Sequence, residues 1–269
     1  METTRSQRWR ERRSRFVDDL ELIDPRRYAV EIIEHALARE FVARHHYLPT
    51  YPAAQLAVGL FAERPRPHLA GVAVFAVPAT GAVVTAHTGF ATAGRGCVLA
   101  RLILLDEVPQ NGESFFVARA LRRLRRERPA IEAVVSFSDP DAGHIGRVYA
   151  ALSAAYRGRT AERSVLSAGG RTISGRTLSK IRGGERGQGG AVDQLVDLGA
   201  PPPAPGEPLP AWLMRLRRER FLVAHRRPGL FAYCFELTRR ARRHGRALPR
   251  LPYPKLLPVP PPELPFLAA

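Results

Sequence analysis

The stretch from Leu99 to Tyr156 restricts the fold most, because two short apolar segments there flank one long amphipathic one. Leu102 to Leu105 reads as a strand stopped by Asp106, Glu107 and Pro109. Asn111, Gly112, Glu113 and Ser114 mark a helix start, Phe115, Ala118, Leu121 and Leu124 recur three residues apart, and Pro129 closes the helix. Ala133 to Phe137 is almost wholly apolar with β-branched residues at its centre, as in a strand covered on both faces, and is therefore expected to be central. Two parallel strands joined by a helix make a right-handed crossover, and sheets of this kind bind ligands at the carboxyl ends of their strands.

Those ends carry most of the chemistry the sequence offers. The first, residues 106–114, feeds backbone amides into a helix amino terminus, a ready place for an anion. The second gathers Ser138, Asp139, His144 and Tyr149, and the GHIG run from Gly143 to Gly146 would let backbone approach a ligand closely. An alternative reading has Asp139 only capping a short helix and the glycines only making the turn.

The remaining chain is strongly basic. Lys and Arg number 42 against 25 Asp and Glu, a formal charge of +17. That excess suggests a polyanionic partner without separating nucleic acid from a membrane surface. Arginine can outnumber lysine merely because a genome is GC-rich, so the net charge is the informative quantity. Cys97 and Cys234 lie far apart with no CxxC pair, which suits a reducing compartment. No run approaches membrane-spanning length and the amino terminus lacks an apolar signal core, so a soluble, cytoplasmic protein without a membrane partner is expected.

Four regions are expected: a basic arm over 1–27, an α/β catalytic domain over 28–182, a Gly/Pro-rich linker over 183–210 and a basic, aromatic extension over 211–269. Within the domain, Tyr28 to Val42 has helical spacing through Val30, Ile33, Leu37 and Phe41. It runs into HHYLPTYP, where His45, His46, Tyr47, Thr50 and Tyr51 could hold a metal, stack on a base or simply be polar surface. Gln55–Phe61 and Leu69–Val77 read as a hairpin, 79–96 as a loop, and Ser164–Ser167 with Thr172–Leu178 as a second hairpin turning at Gly169-Gly170. In the extension, Trp212, Phe221, Phe231, Tyr233 and Phe235 alternate with arginines; the aromatics are expected mostly to pack and the arginines mostly to face nucleic acid.

The order helix, hairpin, strand, crossover helix, strand, helix, hairpin resembles that of GNAT acyltransferases, with a mixed central sheet flanked by helices. A narrower resemblance rests on RLILLDEVPQNGES, VVSFSDPDAGHIGRVYAALSAAYRGRT and RTISGRTLSK, with HHY upstream and LPYPK downstream. These blocks, covering about Phe41–Lys180 and His225–Lys255, are similar to those of the Mom family of phage DNA-modification proteins. The resemblance implies an enzyme acting on double-stranded DNA, converting the N6 amine of adenine to a carbamoylmethyl-type adduct that blocks restriction nucleases. It further implies acetyl-CoA or another acyl donor, and a bound iron.

Carried over residue by residue, the resemblance makes Asp139, Tyr149, Ser114 and Arg101 catalytic. Leu104, Asn111, Gly112, Glu113 and Ser114 are expected on the cofactor and His46, Asp139 and Tyr149 on the iron, where a facial triad would need His45 or His144 as its second histidine. Beside these, the residues expected on DNA are His45, His46, Tyr47, Tyr51, Ser138, His144, Arg147, Arg176, His225 and Arg226. Leu48 stands where the family usually has serine, and PQNGES replaces the Q/RxxGxG/A phosphate loop of GNAT proteins, leaving one glycine and the helix amides for a pyrophosphate. Two other functions fit the same features: a GNAT N-acetyltransferase for a protein or small amine, and a non-catalytic basic DNA-binding protein. The oligomeric state is open, with a homodimer among the options.

Overall fold

The structure, a computed structural model, describes residues 18, 20–173 and 175–255; of the basic arm expected over 1–27, residues 1–17 and 19 lie outside them, as do residues 256–269. Two compact units result: the described residues up to Thr160 together with those from Leu230 onward, and Ala161–Gly229.

The first unit is built on a seven-stranded sheet in the order β1-β2-β3-β4-β5-β10-β6. The strands are β1 (Tyr28–Ile32), β2 (Ala54–Ala62), β3 (His68–Ala76), β4 (Gly96–Leu104), β5 (Ala133–Ser138), β6 (Ala155–Arg159) and β10 (Phe231–Glu236). Every pairing is antiparallel except β4 with β5. Around the sheet lie α1 (His35–His45), α2 (Gly81–Thr88), α3 (Gly112–Glu127), α4 (Arg147–Ala151) and α8 (Arg239–Gly245). This is the mixed α/β sheet flanked by helices that the sequence implied.

Strand periodicity divides the core between two faces. Phe116, Val117, Ala120, Leu121 and Leu124 of α3 pack with Val58, Leu60, Ala73, Phe75, Leu99 and Val134. Ala38, Phe41 and Val42 of α1 pack with Ala57, Val72, Val74 and Ile103, which carry the opposite parity on β2 and β3. The crossover β4–α3–β5 is as read from sequence, and β5 lies in the interior of the sheet between β4 and β10.

Elsewhere the structure corrects the sequence reading. Residues 28–42 are not one helix: the β-branched run pairs with β2 as β1, and α1 starts only at His35. The 79–96 loop contains α2, and β4 begins at Gly96, six residues before the strand read there. Thr172–Leu178 is not a strand; β8 (Arg171–Ile173) gives way to α5 (Gly175–Gly183).

The domain boundaries also differ, because FAYCFE from the supposed tail is β10, inserted between β5 and β6. The second unit has its own three-stranded sheet, β8-β7-β9, with β7 at Arg163–Ala168 and β9 at Val223–Arg227. It adds α6 (Gln188–Asp197) and α7 (Leu209–Arg218), so the stretch read as linker contributes to a core. Ile181, Leu195, Trp212 and Leu216 are fully buried there, and Trp212 Nε1 donates to the Pro201 carbonyl at 2.8 Å. The aromatics pack as expected: Trp212, Phe231, Tyr233 and Phe235 are all buried. Among the described residues no helix is long and apolar enough to cross a membrane.

Candidate functional site

The site begins with an irregularity in β4. Arg101 pairs with Val74 of β3, but Leu99 pairs with Phe75, leaving Ala100 as an extra residue on β4. A bulge of this kind reverses the parity of all that follows. Cys97 and Leu99 face the α3 core, whereas Ile103 and Leu105 face the α1 core. Without the bulge, the Arg101 guanidinium would enter the α3 core. With it, Arg101 lies on the α1 side, where Nη1 donates to the Ala100 carbonyl at 2.7 Å and Nη2 donates to the Thr50 carbonyl at 2.7 Å and Thr50 Oγ1 at 3.1 Å.

The parallel ladder ends at the same level. β4 and β5 pair from Gly96/Ala133 to Leu99/Ser136 and no further, although β4 runs on to Leu104 and β5 to Ser138. The two strands therefore part just where Arg101 stands. Beyond β5, Asp139 caps the short turn Pro140–Ala142 by accepting the Asp141 amide at 3.0 Å, and the chain turns back through Gly143 and Gly146, both at positive φ. Asp139 therefore does cap this turn. Gly146 serves packing, because an added Cβ would lie 2.4 Å from the Tyr233 ring.

His46, at the carboxyl end of α1, is buried and stacks on the exposed Tyr47 with ring centroids 4.4 Å apart and planes at 25°. Its Nδ1 accepts the Leu48 amide at 2.9 Å, which makes Nε2 the protonated nitrogen of the neutral ring. Burial lowers the His46 pKa to about 4, with help from the positive charge of Arg101 and from His144. Burial also lowers His144 to about 4, against the pull of Asp139. His46 stacks on Tyr47, and the charges of Arg101 and Asp139 act on His46 and His144 respectively, which groups these five residues. Arg101 Nε is buried without a hydrogen-bond partner, a donor left over for a ligand.

Both histidines carry a stability consequence whose sign is fixed. Their folded pKa values lie below the unfolded value near 6.5, so between pH 6.5 and 4 the unfolded chain takes up protons that the folded chain refuses. Their contribution is therefore complete above about pH 6.5 and is lost as pH falls toward 4. At pH 5 the loss should be on the order of 1–2 kcal/mol per histidine. Urea midpoints at pH 7.5 and 5.0 should fall apart in the intact protein and draw together in His46→Asn, which keeps an acceptor for Leu48; an equal gap in both would refute the assignment.

The other expected site residues fall elsewhere. His45 is buried against Phe41, with ring centroids 4.5 Å apart. Tyr51 is held by its hydroxyl to His35 Nδ1 at 3.0 Å and lies under Arg39. Tyr149 belongs to the core, its ring 5.2 Å from Tyr233 and 5.9 Å from Phe235, with burial raising its pKa. Ser138 is buried at the end of β5, and Arg147 is exposed at the start of α4. His225 and Arg226 are exposed on β9 of the second unit, His225 Nε2 lying 2.8 Å from Ser167 Oγ; the side chain of Arg176 lies outside the described residues. Both cysteines are buried, their thiols pushed up to about 12 by burial, and neither is a nucleophile.

The implied iron does not fit this geometry. His46 Nδ1 is occupied by an amide and its Nε2 bears the proton, while Tyr149 is a neutral phenol within the core. Among the described residues no three His, Cys, Asp or Glu side chains are placed to hold a metal ion.

The implied pyrophosphate cradle is partly filled. Ile23 donates to the Gln110 carbonyl and Gln110 donates to the Glu21 carbonyl, Gly112 donates to Pro109, and Pro109 has no N–H. Across 109–112 only the Asn111 amide is left over. Asn111 itself sits at φ 63 before α3, Ser114 Oγ is turned back onto the Asn111 carbonyl at 3.0 Å, and Leu104 packs beneath Gly112. Sequence reasoning missed this strap from residues 21–23, and it missed Thr50 as the anchor of Arg101. An arginine set in an apolar strand was the available signal.

The Mom protein family matches residues 27–194. Over 164 residues the chain is 32% identical to the methylcarbamoylase Mom of Escherichia phage Mu, an overlap of 59% of this chain and 65% of that protein. It thus spans slightly less than two thirds of that relative. Among solved structures it is similar to one described as a phosphinothricin N-acetyltransferase, at 10% identity over 78% of this chain and 99% of that one, with a TM-score of 0.36.

Proposed function

The chain belongs to the Mom protein family, and we propose that it is a transferase that modifies the exocyclic N6 amine of adenine in DNA, adding a carbamoylmethyl-type group that shields the DNA from restriction. Besides membership, the observation that carries this reading is Arg101, fixed by three hydrogen bonds with one buried donor to spare, where β4 and β5 part.

The adenine amine is a weak nucleophile because its lone pair is delocalised into the ring. The base must leave the stack, at a cost of a few kcal/mol, and be held while its proton is removed. Tyr47, exposed and stacked on His46, provides a face for the extruded base. The Nε2–H of neutral His46 is a donor suited to orienting it. As N6 bonds to the donor carbon, its proton passes to the Asp139 carboxylate directly or through neutral His144, and the leaving group departs with its electron pair. Arg101 stabilises the negative charge that builds on the departing group. No step is assigned to iron or to coenzyme A.

Mass spectrometry of nucleosides digested from DNA of cells making the chain tests this. A heavier deoxyadenosine should appear with the intact protein and be lost with Asp139→Ala, its mass naming the group. Unmodified deoxyadenosine in cells holding folded, intact protein would overturn the proposal.

A further inference from the structure

A second cationic surface lies at the opposite end of the first unit. A cavity of about 570 Å³ opens beside the last turns of α3, lined by Arg122, Arg125, Arg242 and Arg250 over an apolar floor that includes Phe235 and Leu237. In the sheet register Glu236 is level with Ala133, the first residue of β5, so this cavity stands at the end of β5 remote from Asp139. Arg122 also lines an adjoining cavity of about 310 Å³ with Arg119, Arg123 and Arg126.

Part of this charge is tied down. Arg125 donates to the carbonyls of Pro129 and Ile131, Arg250 to that of Ser153, and Arg123 grips both carboxylate oxygens of Glu31 at 3.1 Å. Glu236, the carboxylate in the larger cavity, is neutralised by Arg157 at 2.6 Å. The side chains of Arg122, Arg126 and Arg242 make no hydrogen bond or ion pair with the described residues, and all three residues are exposed. Arg119, Arg122, Arg123 and Arg126 are spaced three and four apart on α3, where like charges destabilise a helix. Arg119 lies over the Phe115 ring and Arg123 is held by Glu31, whereas Arg122 and Arg126 are left uncompensated beside them. From Arg119 to Arg126 the helix rises about 10 Å, which matches about three successive phosphates of one DNA strand and exceeds the size of a single small anion.

We propose that this arginine-lined surface is a phosphodiester site that holds the DNA backbone at a distance from the reacting base, an inference that rests on the DNA reading above. Its consequence is added affinity without sequence preference, steeply dependent on salt.

The double variant Arg122→Gln/Arg242→Gln tests it against the intact protein, by fluorescence anisotropy with a 60-bp duplex across 50–200 mM salt and by thermal melting. Loss of two phosphate contacts should flatten the plot of log K against log salt by about 1.8, which is about tenfold less salt sensitivity over that range. Affinity at 50 mM should fall about tenfold or more, with the melting temperature unchanged or raised because repulsion is relieved. Unchanged affinity and slope in the variant would overturn this site while leaving the DNA reading intact. So would weakened binding accompanied by a lowered melting temperature, which marks a structural role. Absence of DNA binding by the intact protein at every salt concentration would overturn the site and the DNA reading together.

Discussion

Arg101→Ala should reduce the modified deoxyadenosine recovered from expressing cells by about 100- to 1,000-fold, the range seen when one preorganised donor to a developing anion is removed. The size of the effect follows from how the side chain is held. Its Nη1 and Nη2 donate to the Ala100 and Thr50 carbonyls and the Thr50 hydroxyl, so the guanidinium is locked before substrate arrives, with the buried Nε–H still to be used. Burial works against the charge, as its lowered pKa shows, so the residue is kept at an energetic cost that a purely structural role would not require. Arg101→Lys should rescue little, because a lysine cannot bridge two carbonyls and still present a third donor from a planar fork. Nucleoside mass spectrometry at matched levels of folded protein reads the result directly. Full modification by a folded Arg101→Ala protein would remove Arg101 from the chemistry.

The features that proved legible in sequence are those carried by local pattern. The crossover was visible because Ala133–Phe137 is a nearly unbroken apolar run and Phe115, Ala118, Leu121 and Leu124 keep a helical period. Asp139 and His46 stood out as candidates by residue type and position after an element. What was hidden depends on pairing at long range. β10 looked like part of an arginine-rich tail because its FAYCFE is flanked by basic runs, and nothing local says that it inserts between β5 and β6, about 75 residues or more upstream. Tyr28–Phe41 imitated one helix because Val30 and Ile33 of the strand region happen to lie in phase with Leu37 and Phe41. The bulge at Ala100 leaves no composition signal at all. Its only trace is that Arg101 and Leu99 share a parity that a regular strand could not satisfy.

Gly146→Ala should be the most damaging single methyl that can be added near the site, lowering stability by about 2–5 kcal/mol. Two costs combine. Gly146 has φ 74, where an alanine is strained by about 1–2 kcal/mol. Its new Cβ would also sit 2.4 Å from Tyr233 Cε2 and 2.5 Å from Cζ, far inside contact distance. Tyr233 cannot retreat: it is fully buried, its ring lies 5.2 Å from both Tyr149 and Tyr156, and its hydroxyl donates to the Ile145 carbonyl. Gly170→Ala isolates the backbone share, because Gly170 also has φ 74 yet a Cβ there would meet nothing within 4 Å. Urea denaturation should therefore place Gly146→Ala well below Gly170→Ala, by about 1–3 kcal/mol. Because Tyr233 anchors the Ile145 carbonyl next to His144, the Gly146 variant should also lose DNA modification near its lowered midpoint and regain it on cooling. Equal stabilities for the two variants would show that the Tyr233 ring yields, and that the loop bearing Asp139 and His144 is not braced by it.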